Sequence, residues 1–139
     1  MQKLISEVLD EADKLKTNAA RMTHIRENFT PAIQMLIEGG TNPDLKFALP
    51  SARPEFRVNE KPIGLTEDYL VNATKKFYIF TADHATQNPG MKQLNRERKF
   101  IELLEGLHKG EAELVCQMIE KKFKYPWLTF KFYKTCFGV

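Results

Sequence analysis

The spacing of apolar residues constrains this chain more than any other feature, because most of its apolar stretches repeat with the period of an α-helix. The first such series is Leu4, Ile5, Val8, Leu9, Ala12 and Leu15. Side chains three and four residues apart lie on one face of a helix, and burying that face drives helix packing. The sequence therefore predicts an all-α fold.

Helix boundaries follow from capping residues. Thr17, Thr30 before Pro31, Thr66 and Thr129 each precede an apolar series, and Gly39-Gly40 is expected to end the third helix. The predicted helices cover residues 3–16, 18–28, 31–38, 67–83, 91–105, 111–122 and 130–136. Tyr78 and Leu94 are expected on their buried sides, and Arg96 on an exposed side. We expect one compact domain of six to seven short helices over residues 1–139.

The stretch from Thr41 to Leu65 interrupts this pattern. It holds four of the seven prolines and shows no helical period, which would also suit an interdomain linker. Its apolar residues favour a different interpretation, because they can anchor it along a helical core. These anchors are Leu45, Phe47, Leu49, Phe56 and Val58. We predict one long, proline-rich extended loop over residues 41–65, a length that is usually functional.

Several classes of protein lack their usual sequence signals here. The chain has no run of about 20 apolar residues that would span a membrane, and its amphipathic N-terminus does not resemble a signal peptide. Cys116 and Cys136 each occupy a position where a small apolar residue would pack. Buried free thiols in a reducing compartment are favoured over a disulfide. We expect a cytoplasmic protein without a membrane partner.

The sequence also lacks the patterns of catalytic and cofactor sites. The three histidines are scattered, and neither H-x-x-x-H nor C-x-x-C occurs. No glycine-rich nucleotide fingerprint is present. Cys116 has no nearby histidine to activate it, and Glu111 and Glu113 are explained by the dipole of the helix they begin. We expect no enzymatic activity, no cofactor, no metal and no small-molecule substrate.

The C-terminal region carries the one functional signal. Residues 121–134 contain five lysines and no acidic residue, around an aromatic turn that leads into a helix. Such a turn suits a phosphate backbone. The lysines also fit a simple solvated face, and Trp127 fits either a core anchor or a stacking group. The candidate DNA-binding residues are Lys46, Lys109, Lys121, Lys122, Lys124, Trp127, Thr129, Lys131 and Lys134.

Two stretches carry a family resemblance. LISEVLDEADKLKTNAARMTHIREN and FIELLEGLHKGEAELVCQMIEKKFKYPWLTFKFYKTCFG resemble, in the rhythm of helices and basic turns, the N-terminal DNA-binding domain of ATP-dependent DNA ligases. The compact phage type is the most similar. The chain is also similar to small proteins of large tailed phages. The resemblance implies a grip on duplex DNA without reading sequence, through turns at residues 107–110 and 121–129.

The chain departs from the ligase pattern in two ways. The adenylation motif K-x-D-G is absent, which excludes ligase activity, and a bulky Tyr125-Pro126-Trp127 stands where the family often has glycine. A bulky turn also suits a surface that contacts protein.

Two functions follow as expectations. The first is a non-catalytic, sequence-independent module that binds double-stranded DNA in phage DNA metabolism, in the cytoplasm of the infected host cell. The alternative is a protein-interaction adaptor or inhibitor. Its partner would be a replication, transcription or host-defence protein. A structural role in the virion is a third possibility.

Overall fold

The computed structural model of the chain describes residues 3–50 and 52–139, and within these ranges it contains eight α-helices and one 3-10 helix. The α-helices are α1 (Ile5–Asp13), α2 (Asn18–Glu27), α3 (Pro31–Thr41), α4 (Leu70–Ala73), α5 (Ala82–Gln87), α6 (Gln93–Gly106), α7 (Lys109–Glu120) and α8 (Phe130–Phe137). The 3-10 helix covers Thr74–Phe80. The predicted all-α fold is confirmed. Met1 and Gln2 of the predicted domain, and Ser51 of the predicted loop, lie outside the described residues.

Helix α3 lies at the centre of the domain. It packs against α4, α7, α8 and the 3-10 helix, and its residues Ile33, Leu36 and Ile37 are completely buried. One continuous hydrophobic core surrounds it and takes side chains from every α-helix but α5. No helix within residues 3–50 and 52–139 combines the length and the apolar character needed to cross a bilayer.

The prediction that Gly39-Gly40 ends α3 was wrong, because the helix continues through both glycines to Thr41. The glycines instead make room for α7 and the turn behind it. A Cβ atom on Gly40 would lie 2.2 Å from Cε2 of Phe123, and one on Gly39 would lie 2.7 Å from Sδ of Met118. Close packing, rather than termination, explains the pair.

Three of the four predicted threonine caps are confirmed. The hydroxyl oxygens of Thr17, Thr30 and Thr129 accept hydrogen bonds from the backbone N–H three residues later, at 3.1, 3.3 and 3.1 Å. Each bond satisfies one of the free donors at a helix start. The helices that these residues begin are α2, α3 and α8.

The predicted helix over residues 67–83 was wrong. Thr66 does not cap it, since its hydroxyl donates to the carbonyl of Asp68 and the first helical residue is Leu70. After one turn of α-helix the chain tightens into the 3-10 helix, and Thr81 then caps α5. Residues 84–87, which lie between two of the predicted helices, are accordingly helical. This division explains why the helix count exceeds six to seven.

Helix α6 departs from the prediction at Leu94 and Arg96. Its buried residues are Arg96, Phe100, Leu103 and Leu104. Leu94 lies on the opposite side from Leu103 at 100° per residue, and it is 78% exposed. The Arg96 guanidinium replaces it inside, donating to the carbonyl of Ile79 at 3.0 Å and to Oε1 of Gln93 at 2.7 Å. Tyr78, also predicted to be buried, is 59% exposed.

The long loop is confirmed: residues 42–50 and 52–69 contain no helix. Phe47, Leu49 and Phe56 pack against the core, and an isolated antiparallel bridge joins Phe47 to Thr81. The Arg53 guanidinium forms ion pairs with two carboxylates of α7, Glu113 at 2.7 Å and Glu120 at 2.8 Å. The loop is thus held to the helices by its own side chains.

Replacing Thr129 by Ala is expected to lower the free energy of unfolding by about 0.5–2 kcal/mol, because the N–H of Phe132 loses its acceptor. Urea denaturation of both proteins measures the change. Thr135→Ala is the matched control, since that exposed hydroxyl donates only to the carbonyl of Lys131 within α8. Equal stability of Thr129→Ala and the wild type would contradict the assignment.

Replacing Gly40 by Ala is expected to destabilise the protein by about 1–3 kcal/mol, although alanine favours helices, because the new methyl group overlaps the Phe123 ring. Gly106→Ala is the control: its Cβ would lie 3.7 Å from Cβ of Asp68, an ordinary contact. In the double variant Gly40→Ala, Phe123→Leu, part of the lost stability should return. Thermal melting of the four proteins tests this, and a neutral Gly40→Ala would disprove the packing role.

Candidate functional site

The predicted basic turn begins with a lysine that points back into the fold. Lys121 ends α7 in the left-handed conformation, with φ of 59°. Its ammonium group donates to the carbonyls of Gly39 at 2.6 Å, Asn42 at 3.0 Å and Leu45, and it lies 5.1 Å from the centre of the Phe47 ring. Desolvation lowers the pKa of Lys121. This lysine stabilises the C-terminal end of α3.

The next side chains of the turn contact the acidic end of α1. The Tyr125 hydroxyl donates to Oδ1 of Asp10, and the ammonium of Lys124 lies 3.3 Å from the same atom. The indole N–H of Trp127 donates to Oδ1 of Asp13 at 2.8 Å. Burial, and then the Asp10 carboxylate, raise the pKa of Tyr125. The bulky turn is therefore fixed in place by two aspartates.

Trp127 is partly buried and packs against other rings. Its ring centre lies 5.3 Å from that of Tyr125 and 5.1 Å from that of Phe132, and the Arg21 guanidinium covers it at 5.3 Å. This environment agrees with a core anchor at the base of α8, the first of the two interpretations of this tryptophan.

Two lysines of α8 remain exposed. Lys131 and Lys134 lie one turn apart, and no carboxylate of residues 3–50 or 52–139 forms an ion pair with either of them. The ammonium of Lys134 lies 4.9 Å from the Phe130 ring centre. Thr129 caps the helix that carries both, and the sequence of α8 contains no acidic residue. Helix α8 therefore presents positive charge to solvent.

Helix α2 adds two arginines to this surface. Arg21 contacts Trp127 just before α8, and Arg26 donates to the carbonyls of Cys136 at 2.8 Å and Thr135 at 3.3 Å near the end of α8. The two helices therefore run side by side in the same direction. We call Arg21, Arg26, Lys131 and Lys134 the basic surface. Sequence analysis missed the two arginines, because only the packing of α2 on α8 reveals their position.

The other predicted lysines are spread over the molecule. Lys109 begins α7 and Lys122 follows its end, so about 18 Å of helix separates them. Lys46 is exposed on the long loop, next to the Phe47 ring that covers Lys121. The structure thus brings Lys131 and Lys134 together and does not bring Lys109 to them.

A buried carboxylate joins three helix N-termini on another side of the domain. Glu111, the third residue of α7, is 1% exposed. Its Oε2 accepts from the N–H of Ile5 at 3.2 Å, and its Oε1 accepts from the N–H of Leu70 at 3.0 Å. These are the first residues of α1 and α4. Burial raises the pKa of Glu111, and the charges of Asp68 and Glu7 add to that shift.

A pocket of about 360 Å³ lies over Glu111. Leu4 of the α1 N-terminus, Ile63 and Gly64 of the loop, and Tyr69 and Val71 at α4 form most of its wall, and Glu7 lies at its edge. The volume is in the range of small-ligand sites. Because Glu111 looks like an ordinary first-turn acid in the sequence, only its buried contacts identify the site.

The remaining candidate reactive groups are the two cysteine thiols and the possible metal ligands. Cys116 and Cys136 are free and buried, which confirms the expectation from their positions. Burial raises the pKa of the Cys116 thiol to about 11, which leaves it protonated and unreactive at neutral pH. Among the described residues, no group of three or more His, Cys, Asp or Glu side chains is placed to hold a metal ion.

Replacing Glu111 by Gln is expected to cost about 1–3 kcal/mol of stability, because the amide nitrogen cannot accept from Ile5 or Leu70. The loss should depend on pH. A carboxyl whose pKa is raised on folding gains stability as the pH falls from neutral towards its ordinary value of 4.5. The deficit of the Gln variant should therefore be larger at pH 5 than at pH 7. Urea denaturation at both values measures it, and the reverse trend would contradict the raised pKa.

Comparison with known proteins gives one result. A search of curated proteins and a search of solved structures each find no match. Residues 8–125 match a protein family described as a family of unknown function, DUF6433. This match covers α2 to α7 and most of α1 and the basic turn, and it ends before α8. The chain belongs to the DUF6433 family.

Proposed function

We propose that this protein is a non-catalytic module that binds double-stranded DNA without sequence preference. The observation that supports this most is the basic surface, where two neighbouring helices carry Arg21, Arg26, Lys131 and Lys134. The nearest acidic residue along either helix is Glu27, at the end of α2. Cationic side chains on a convex helical surface suit phosphates and carry no sequence information.

This proposal uses fewer lysines than the sequence suggested. Lys121 binds three carbonyls and Lys124 lies beside Asp10, so neither ammonium group is fully available to neutralise a DNA phosphate. The exposed Lys131 and Lys134 carry the contact instead. Arg21 and Arg26 lie at its edge, since Arg21 donates to the carbonyls of Ala12 and Leu15 and Arg26 to those of α8. The sequence resemblance to ligase DNA-binding domains predicts contact through the turns at residues 107–110 and 121–129, and the second of these leads into α8.

If about four phosphates are neutralised, the logarithm of the binding constant should fall with the logarithm of salt concentration with a slope of roughly −3.6. Replacing Lys131 and Lys134 together by Gln should flatten this slope by about 1.8, since each lost contact removes about 0.9. Fluorescence anisotropy of a labelled duplex, from low to physiological salt, measures both values.

The matched control replaces Lys92, the residue before α6, and Lys99 of α6 by Gln. Both are exposed, and the change removes the same total charge from a region outside the basic surface. It should leave the slope almost unchanged. Absence of binding at low salt, or equal slopes for the two double variants, would overturn the DNA proposal.

A second candidate function is docking to a partner protein, and the exposed apolar residues of the long loop favour it. Ile63 and Leu65 are 46% and 66% exposed and flank Gly64, which adopts φ of 92° at the rim of the pocket over Glu111. Large apolar side chains held at the rim of a pocket are typical of interaction sites.

A further inference from the structure

A second hollow of about 300 Å³ shares two lining residues, Lys3 and Val71, with the pocket over Glu111. We call the two hollows together the groove. The second hollow continues along α1 past Ile5 and Val8 to the turn between α2 and α3, where Phe29 stands at its end. The groove therefore runs from the long loop, across the start of α1, to the start of α3.

Exposed apolar residues stand at both ends of this groove. Ile63 is at one end with Leu65 beside it, and Phe29, which is 48% exposed, is at the other. Between them the wall is formed by Leu4, Val71 and neighbouring aliphatic side chains. A segment lying in the groove would remove this apolar surface from water, which is the main source of affinity in such contacts.

The charges of the groove are unbalanced. Its lining contains three carboxylates, on Glu7, Glu27 and Glu111, and one cation, Lys3. The Lys3 ammonium is already held by both oxygens of Glu11, at 2.8 and 3.0 Å. Glu7 is close enough to Glu111 for its charge to raise the pKa of that residue. The pocket over Glu111 is thus lined mainly by apolar surface, and the two hollows together are lined by more carboxylates than cations.

We infer that this groove docks a segment of a partner protein in which a lysine or arginine is flanked by apolar residues. The aliphatic stem of the basic residue packs on Leu4 and Val71, and its head group lies against Glu7 above Glu111. The flanking apolar residues cover Ile63 at one end and Phe29 at the other. An acidic segment would meet three carboxylates and be repelled. The negative charge of the groove therefore provides specificity for a basic segment, while its apolar side chains provide affinity.

This inference deepens the second candidate function and is independent of DNA binding. The test uses ¹⁵N-labelled protein and the peptide acetyl-Gly-Ile-Lys-Leu-Gly-amide, titrated by NMR. Saturable shifts are expected for the backbone amides of Leu4, Gly64 and Val71. A peptide with norleucine in place of lysine keeps the stem and loses the charge, and it should bind roughly fivefold more weakly. A peptide with glutamate there should not bind at this site.

Variants of the protein locate the contact. Glu7→Gln keeps an oxygen for the N–H of Leu4 but removes the charge. It should therefore lower the affinity for the lysine peptide and leave the affinity for the norleucine peptide unchanged. Ile63→Ser should weaken both. Leu94→Ser is the matched control, because Leu94 is equally apolar, more exposed and outside the groove.

Three results would overturn the inference: no shifts in the groove with the lysine peptide, equal affinity for the lysine and glutamate peptides, or an unchanged affinity in Glu7→Gln. The second result would leave docking itself standing and remove only the chemistry of the partner. Lys131→Gln with Lys134→Gln should bind the peptide normally. Failure of the groove is thus distinguishable from failure of the basic surface.

Discussion

The carboxylate of Glu111 is the contact on which the helix arrangement depends most. Helices α1 and α4 both begin without a capping side chain of their own at the first residue before the helix, where Leu4 and Tyr69 stand. One buried group, from the first turn of α7, supplies an acceptor to each. A buried charge is costly, and here two charge-assisted hydrogen bonds and the N-terminal dipoles offset part of its desolvation. Three helix starts are thereby fixed at one point.

A similar use of charge explains the basic turn. Lys121 gives its ammonium to the carbonyl end of α3, while Asp10 and Asp13 hold Tyr125 and Trp127 against α1. The sequence suggested that the lysines and aromatic residues of this region form one surface. In the structure some of them make contacts within the protein and the others are exposed to solvent. Within this cluster, Lys122 and the two lysines of α8 are exposed and form no ion pair with a carboxylate of the described residues.

Local signals in the sequence predicted much of this fold, and non-local packing set the rest. Thr17, Thr30 and Thr129 cap helices because a hydroxyl three residues before a free N–H acts locally. The prediction that α3 ends at Gly40 was wrong because the role of this glycine depends on Phe123, which lies more than 80 residues away in the sequence. Arg96 is buried and Leu94 is exposed, the reverse of the prediction, because the carbonyl of Ile79 accepts a hydrogen bond from the guanidinium inside the protein. The site followed the same rule: Lys131 was found from sequence, whereas Arg26 and Glu111 are defined by partners far along the chain.

The basic surface and the groove are neighbours, and this bears on how the two candidate functions relate. Phe29, at the end of the groove, contacts Phe137 of α8 with ring centres 6.0 Å apart. Arg26 lies three residues before Phe29 and binds the last carbonyls of α8. DNA on the basic surface and a protein segment in the groove would therefore meet at the turn between α2 and α3. Because the two surfaces use different side chains, the two proposals do not exclude each other. If both hold, a basic partner segment beside Phe29 would reinforce the positive field that DNA encounters.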